Sequence, residues 1–459
     1  MAGIGFVLRK LSNEDNLSGV VKGYLFSAIV FTGPWLFTIF SFGVIMAIGS
    51  YFLLLEELAV FRLIVIYNFA FSLVFSAPVF MVATRYLADL IYAKDVSLAP
   101  GMLFGAFAIL CITQLPIAGF FYLGYANLDT WTGFAALSNY FLITGIWLVT
   151  TFLSALKAYL YVSGIFAIGM CIALGGAALL AAEFSIAGML MGYNIGLAVI
   201  FFGIVGRIFV EYPHPIIKPF AIFGYFRKYW DIALSGLIYN LAIWSDKWLM
   251  WFAPEREILY SGLISYPNYD SAMFLAFLTL VPAMALFVFS IETQFFERYL
   301  KYYKNIQDHS SYSKIESNHQ EIIDVIVASL RNLFVLQGSL CFAVILLAPT
   351  IFSSFGINYL QLGIFRLGVL GALFHVMMMF LGILLSYFDF RRVVLSLQCF
   401  FFICNFGFTY LSLQFGFLYY GYGYFLAAMF SFIATFIVTL YYVNQLPFQT
   451  FIGHNTSIE

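Results

Sequence analysis

Apolar stretches long enough to cross a bilayer recur about twelve times along this chain, and no other feature limits the fold as much. A membrane-spanning helix needs about 20 predominantly apolar residues. The stretches lie at 24–50, 63–88, 100–125, 134–156, 158–182, 184–206, 229–253, 271–296, 325–348, 363–388, 393–415 and 419–443. Only 9% of the residues are charged and 63% are hydrophobic, whereas soluble domains carry about 25% charged residues. Such a chain cannot cover itself with a water-compatible surface. The expected fold class is an all-α integral membrane protein with about twelve transmembrane helices, because a helix satisfies its own backbone groups in lipid. The first stretch exceeds the apolar core of about 7–15 residues of a secretory signal, so it reads as a retained span.

Basic residues orient the spans. With the N-terminus in the cytoplasm, seventeen of the 21 Lys and Arg fall on the inner side. Arg62, Arg256 and Arg366 fall outside, and Lys247 remains within a span. The expectation is N-in and C-in. Residues 1–23 place Ile4, Leu8 and Leu11 beside Arg9 and Lys10, as an amphipathic segment lying on the membrane surface does. Residues 24–206 then form a first lobe of six spans and 229–446 a second. Between them, 207–228 contains Pro213, Pro215 and Pro219 and reads as a semi-rigid cytoplasmic strap, not a helix. Residues 447–459 form a cytoplasmic tail. A polar segment at about 297–324, broken near "DHSSYS", extends the eighth and ninth spans into the cytoplasm. Its Arg298, Lys301, Lys304 and Lys314 are candidate docking residues for a cytosolic partner.

Four spans contain proline. Gly33 with Pro34, then Pro78, Pro116 and Pro282, are candidate hinges, since each proline removes a backbone donor and frees a carbonyl. Curvature for packing explains them equally well. The costliest residues lie in "AIWSDKWLMW", 242–251, where Asp246 and Lys247 sit inside the seventh span. Lys247 precedes Pro254 by about 10 Å of helix, so its stem can snorkel outward. Adjacent helical residues project in different directions, so the two are not expected to pair face to face. Asp246 then needs another helix, a cation or water. A structural ion pair and a charge lining a transport route are both open. Asp231 and Asn240 on the same span, and His375 in the middle of the tenth, complete the candidate route or coupling residues. His375 reads either as a bonded core histidine or as a protonatable gate. Asn68, Asn194 and Asn405 suit interhelical bonding or cavity lining. The spacing Gly188, Gly192, Gly196 marks close helix packing.

Several chemistries are absent. There is no Walker A sequence, HExxH or GxSxG. The five cysteines lie in apolar stretches without CxxC spacing. No metal, cofactor or catalytic residue is expected, and a net charge of −1 gives no reason to expect a nucleic-acid partner. Glu211 with His214, and His319 with Glu321, are the sole acid/base groupings that would suit a membrane glycosyl- or acyltransferase, and both read as solvated loop.

"MAGIGFVLRKL" followed by "GYLFSAIVFTGPW" resembles the opening of the PelG family, and "LIYNLAIWSDKWLMWF" and "LLSYFDFRR" extend the likeness. The resemblance implies the polysaccharide-transporter branch of the MOP exporters, with two six-helix lobes around a central cavity. It implies export of a Pel-like polymer rich in N-acetylgalactosamine and galactosamine. The implied partners are a cytosolic Pel glycosyltransferase and other inner-membrane Pel subunits, including a cyclic-di-GMP receptor. A lipid-linked oligosaccharide flippase, an ion-coupled drug exporter and a scaffold without a cavity are the alternatives.

Overall fold

The computed structural model describes residues 17–152, 159–354 and 356–453, and side chains within 33–152, 160–354 and 356–451. The surface segment expected over 1–23 therefore lies outside the described residues, except where the first helix begins. The helices are α1 (Leu17–Gly49), α2 (Leu55–Tyr92), α3 (Ala99–Phe120), α4 (Thr130–Thr150), α5 (Tyr159–Glu211), α6 (Ile222–Lys228) and α7 (Trp230–Met250). They continue as α8 (Pro267–Leu278), α9 (Val281–Phe289), α10 (Phe296–Gln307), α11 (Tyr312–Ser354), α12 (Leu362–Tyr387), α13 (Arg391–Phe415) and α14 (Tyr422–Asn444). Among the described residues, nine helical stretches are long and apolar enough to cross a membrane. Helix α7 is not among them, because Asp231, Asn240, Asp246 and Lys247 dilute its apolarity. The chain divides into two compact units. One comprises Gly33–Trp244 and Trp251–Tyr266; the other includes Ser245–Met250 and Pro267 onward.

In the first unit, α5 covers two of the expected spans in one helical stretch. Its dihedrals leave the helical region at Phe184 and Ser185, where Ser185 takes φ 52°. The Ser185 hydroxyl donates to Glu57 Oε1 at 2.9 Å, which pins the apex to the start of α2. The two arms then run antiparallel, with Gly169 against Gly196 and Gly176 against Gly192. A Cβ built on Gly176 would stand 2.9 Å from the Gly192 carbonyl oxygen, so the close approach depends on glycine. This is the packing that the Gly188, Gly192, Gly196 spacing implies.

The polar core of this unit is a chain of amides. Asn68 Nδ2 donates to Ala136 O at 3.0 Å and to Asn139 Oδ1 at 2.9 Å. Asn139 Nδ2 donates to Asn194 Oδ1 at 2.7 Å, and Asn194 Nδ2 donates to Ala135 O at 2.8 Å. The Tyr122 hydroxyl donates to Asn68 Oδ1 at 2.6 Å. Asn68 and Asn139 are fully buried. The network ties α2, α4, the second arm of α5 and the π-helical end of α3 at Phe121–Tyr125. Asn139→Leu strands its two neighbours at once, and each buried unsatisfied group costs about 1–3 kcal/mol. A fall of that order in resistance to thermal unfolding in detergent is expected; an unchanged midpoint would refute the network's structural role.

The strap expected over 207–228 is partly helical, which corrects the sequence reading. Helix α5 runs to Glu211, and α6 begins at Ile222 after a 3-10 turn at Pro219–Ala221. The prolines break only the intervening residues, because a proline at the first turn of a helix loses no intrahelical bond. The backbone at Ile217 and Pro219 rests on Gly101 and Gly105 of α3, where a Cβ would collide with it. Tyr225 stacks on Tyr86 at 3.8 Å, and the Tyr229 hydroxyl donates to Asp89 at 2.8 Å. A short hairpin, Glu257–Ile258 with Ile264–Ser265, is the one strand pairing among the described residues. Tyr67 clamps it, donating to Ile264 O at 2.6 Å and accepting from Ile264 N at 3.0 Å.

In the second unit, α10 and α11 are separated by a break at 308–311, inside the expected "DHSSYS". They fold back on each other. Lys301 Nζ lies 2.7 Å from Glu321 and Arg298 Nε lies 3.4 Å from the same carboxylate. His319 is buried, its Nε2 lying 2.7 Å from Val443 O.

Candidate functional site

Helix α7 brings charge into an apolar layer, and its last residues, Ser245–Met250, belong to the second unit. Asp246 is fully buried and Lys247 is 8% exposed. Contrary to the expectation from their adjacency, they pair: Lys247 Nζ lies 3.0 Å from Asp246 Oδ1 and 3.1 Å from Oδ2. The four-carbon stem of lysine is long enough to curl back around the helix, which the direction of its Cα–Cβ bond does not reveal. The ammonium also faces two rings, Phe277 at 4.6 Å and Tyr424 at 5.3 Å. Ring faces attract a cation most strongly where water is excluded. Lys247 therefore turns inward and does not snorkel.

Asp246 gains two further donors from other helices. The Tyr269 hydroxyl donates to Oδ2 at 2.8 Å, and Asn405 Nδ2 donates to Oδ1 at 3.3 Å. Tyr269, Asn405 and Tyr424 are fully buried. Thr409, one turn beyond Asn405, donates to Asn405 Oδ1 at 3.4 Å. Helix α14 approaches α13 closely because Gly423 meets the Thr409 backbone, where a side chain would not fit. A buried carboxylate is tolerated only when paired and hydrogen-bonded, and Asp246 meets both conditions.

His375 joins the same cluster. It is 3% exposed. Its ring packs at 6.0 Å from Phe277, 6.1 Å from Tyr424 and 5.3 Å from Phe401. Phe277 and Tyr424 are also the rings that hold the Lys247 ammonium. Two anomalies separated by 128 positions in the sequence thus become one site. Its carboxylate, ammonium and imidazole are all groups that can carry a proton. Among the described residues, no group of three or more metal-ligating side chains forms.

The remaining candidates lie elsewhere. Asp231 and Asn240 are buried on the part of α7 that belongs to the first unit. Asn240 Nδ2 donates within its own helix to Gly236 O at 2.8 Å, and Asp231 Oδ1 accepts from Ile232 N at 2.9 Å. Pro34, Pro78 and Pro116 lie inside continuous helices. Pro282 instead opens α9 after a break at 279–280, so the eighth span is two helical pieces. Gly33 is buried in α1. Arg298 and Lys301 share Glu321, as described, and Lys304 and Lys314 are exposed.

One buried charge escaped the sequence reading. Glu292 is 1% exposed on the π-helical stretch Ser290–Phe295, with Tyr387 of α12 nearby. The available signal was a carboxylate inside the apolar stretch 271–296, the same signal that singled out Asp246. Tyr269 and Tyr424 gave no such signal, because tyrosines are common throughout the chain.

The fold has clear relatives. A MOP superfamily transporter from Pyrococcus furiosus, whose binding pocket is described as of reverse polarity, aligns over 93% of this chain and 96% of its own, at TM-score 0.66 and 14% identity. A multidrug resistance MATE family transporter in its inward-facing conformation aligns over 89% and 95%, at TM-score 0.65 and 16% identity. A MATE family transporter in its outward-facing conformation aligns over 97% and 99%, at TM-score 0.65 and 15% identity. At these identities the likeness shows the fold alone. No curated protein sequence matches the chain. The PelG family, described as exopolysaccharide exporters (EPS-E), matches residues 1–451. A match of that extent, on a multi-pass helical membrane protein with the fold of MOP transporters, makes this chain a member of the PelG exopolysaccharide exporter family.

Proposed function

We propose that the chain is the inner-membrane translocation subunit for a Pel-like polymer rich in N-acetylgalactosamine and galactosamine. It receives the polymer from a cytosolic glycosyltransferase and assembles with other inner-membrane subunits, one of them a cyclic-di-GMP receptor. The observation that carries this reading is the family match over residues 1–451. The proposed topology is twelve crossings with both termini in the cytoplasm, as the basic residues suggest. In this reading the chain catalyses no covalent step, and the synthase drives the polymer through. Lys304 and Lys314, exposed on the α10–α11 pair, are the proposed docking face for the synthase.

The test is protection of new polymer. Inverted membrane vesicles carrying the synthase and this chain are given labelled activated sugar, then a polymer-cleaving hydrolase. Label should survive only when the chain is present. Equal survival without it would sink the proposal.

The buried Asp246–Lys247–His375 cluster supports a second reading, ion-coupled flipping of a lipid-linked oligosaccharide or of a drug-like substrate. An uncoupler separates the two. It leaves protection unchanged if the synthase threads the polymer, and abolishes it if a proton gradient drives transport.

A further inference from the structure

An apolar groove of about 320 Å³ opens in the second unit between α11, α12 and α14. Ile326, Val327, Leu330 and Phe334 line it from α11, Met377 from α12 and Leu440 from α14. Its lining on α11 extends from Ile323 to Phe334, about 16 Å of helix. That is close to the depth of one hydrocarbon leaflet, half of about 30 Å. Arg331 stands among these apolar residues, exposed, with no hydrogen bond or ion pair among the described residues.

Arg331 is the one charged residue of the apolar stretch 325–348. His319 bonds Val443 O at the end of α14, and Arg331 follows it by about 18 Å of helix. Arg331 thus stands near the start of that stretch, among the apolar walls of the groove. A side chain on a helix leans toward the N-terminus, so a guanidinium at this position leans toward the Ile323 end of the groove. A guanidinium among apolar walls favours an anionic partner, and the planar fork of arginine suits phosphate. The surrounding walls demand hydrocarbon.

We propose that this groove binds one anionic glycerophospholipid, with an acyl chain along the groove and the phosphate on Arg331. The groove lies outside the Asp246–Lys247–His375 cluster, so the proposal stands independently of the transport mechanism.

Native mass spectrometry of the full chain in detergent tests it, with dioleoyl phosphatidylglycerol and dioleoyl phosphatidylcholine as probes. These share acyl chains and differ in net charge. The expected result is one phosphatidylglycerol adduct retained roughly fivefold over phosphatidylcholine, the bias that one basic residue contributes toward anionic lipid. Arg331→Gln should abolish the preference, and Arg331→Lys should keep part of it. Val327→Trp fills the groove from a half-exposed position and should reduce retention while Arg331 is intact. Equal retention of the two lipids, an undiminished preference in Arg331→Gln, or unchanged retention in Val327→Trp would each overturn the proposal. Displacement of the lipid by millimolar inorganic phosphate would overturn it too, since the site would then recognise the anion without the chain.

Discussion

Asp246→Ala is expected to destabilise the protein by about 3 kcal/mol, the low end of what breaking a buried ion pair costs. Lys247 would keep the faces of Phe277 and Tyr424, which offset part of the loss. Lys247→Met should cost a similar amount, because Asp246 would keep the Tyr269 and Asn405 donors but lose its counter-charge. The double variant Asp246→Leu with Lys247→Met removes both desolvated charges, and buried pairs replaced by apolar residues are often neutral in stability. Thermal unfolding of the three variants in detergent therefore decides the energetic role of the pair. Polymer protection in vesicles decides its functional role. A stable double variant that no longer protects polymer makes the pair part of transport. A stable double variant with full protection makes it structural only. If the double variant is less stable than either single variant, the assigned pairing is wrong.

Gly192→Leu is the second large effect. The Cβ at this position would lie far inside van der Waals contact distance of the Gly176 carbonyl carbon and the Ala177 nitrogen, so backbone atoms must move and no side-chain rotation relieves the clash. Overpacking costs about 1–3 kcal/mol where side chains can adjust, and a backbone collision falls at or beyond the top of that range. Loss of folded protein from the membrane is expected, measured by yield of monodisperse protein in detergent. Gly175→Ala is the matched control. It neighbours Gly176 in sequence, yet a Cβ there meets nothing within 4 Å. The control should be neutral, or slightly stabilising through helix propensity. Equal loss in both variants would mean that the arms of α5 do not pack as described.

The apolar stretches and the scarcity of charge determined the fold class without any tertiary information, because lipid admits few backbone arrangements. The break near "DHSSYS", the Gly188, Gly192, Gly196 spacing and the cost of Asp246, Lys247 and His375 were likewise local properties of composition and helical period. Glu292 could have been found by the same rule, since its anomaly is also local.

Tertiary structure alone decided which polar groups meet. Asp246 joins Tyr269 and Asn405 across 23 and 159 positions, and that meeting depends on how each helix is rotated about its axis. The 3.6-residue period of an apolar helix does not reveal that rotation when all its faces are apolar. The direction of Lys247 was open for the same reason. A flexible stem follows whatever rings and carboxylates the neighbouring helices place around it, and here Phe277, Tyr424 and Asp246 draw it inward.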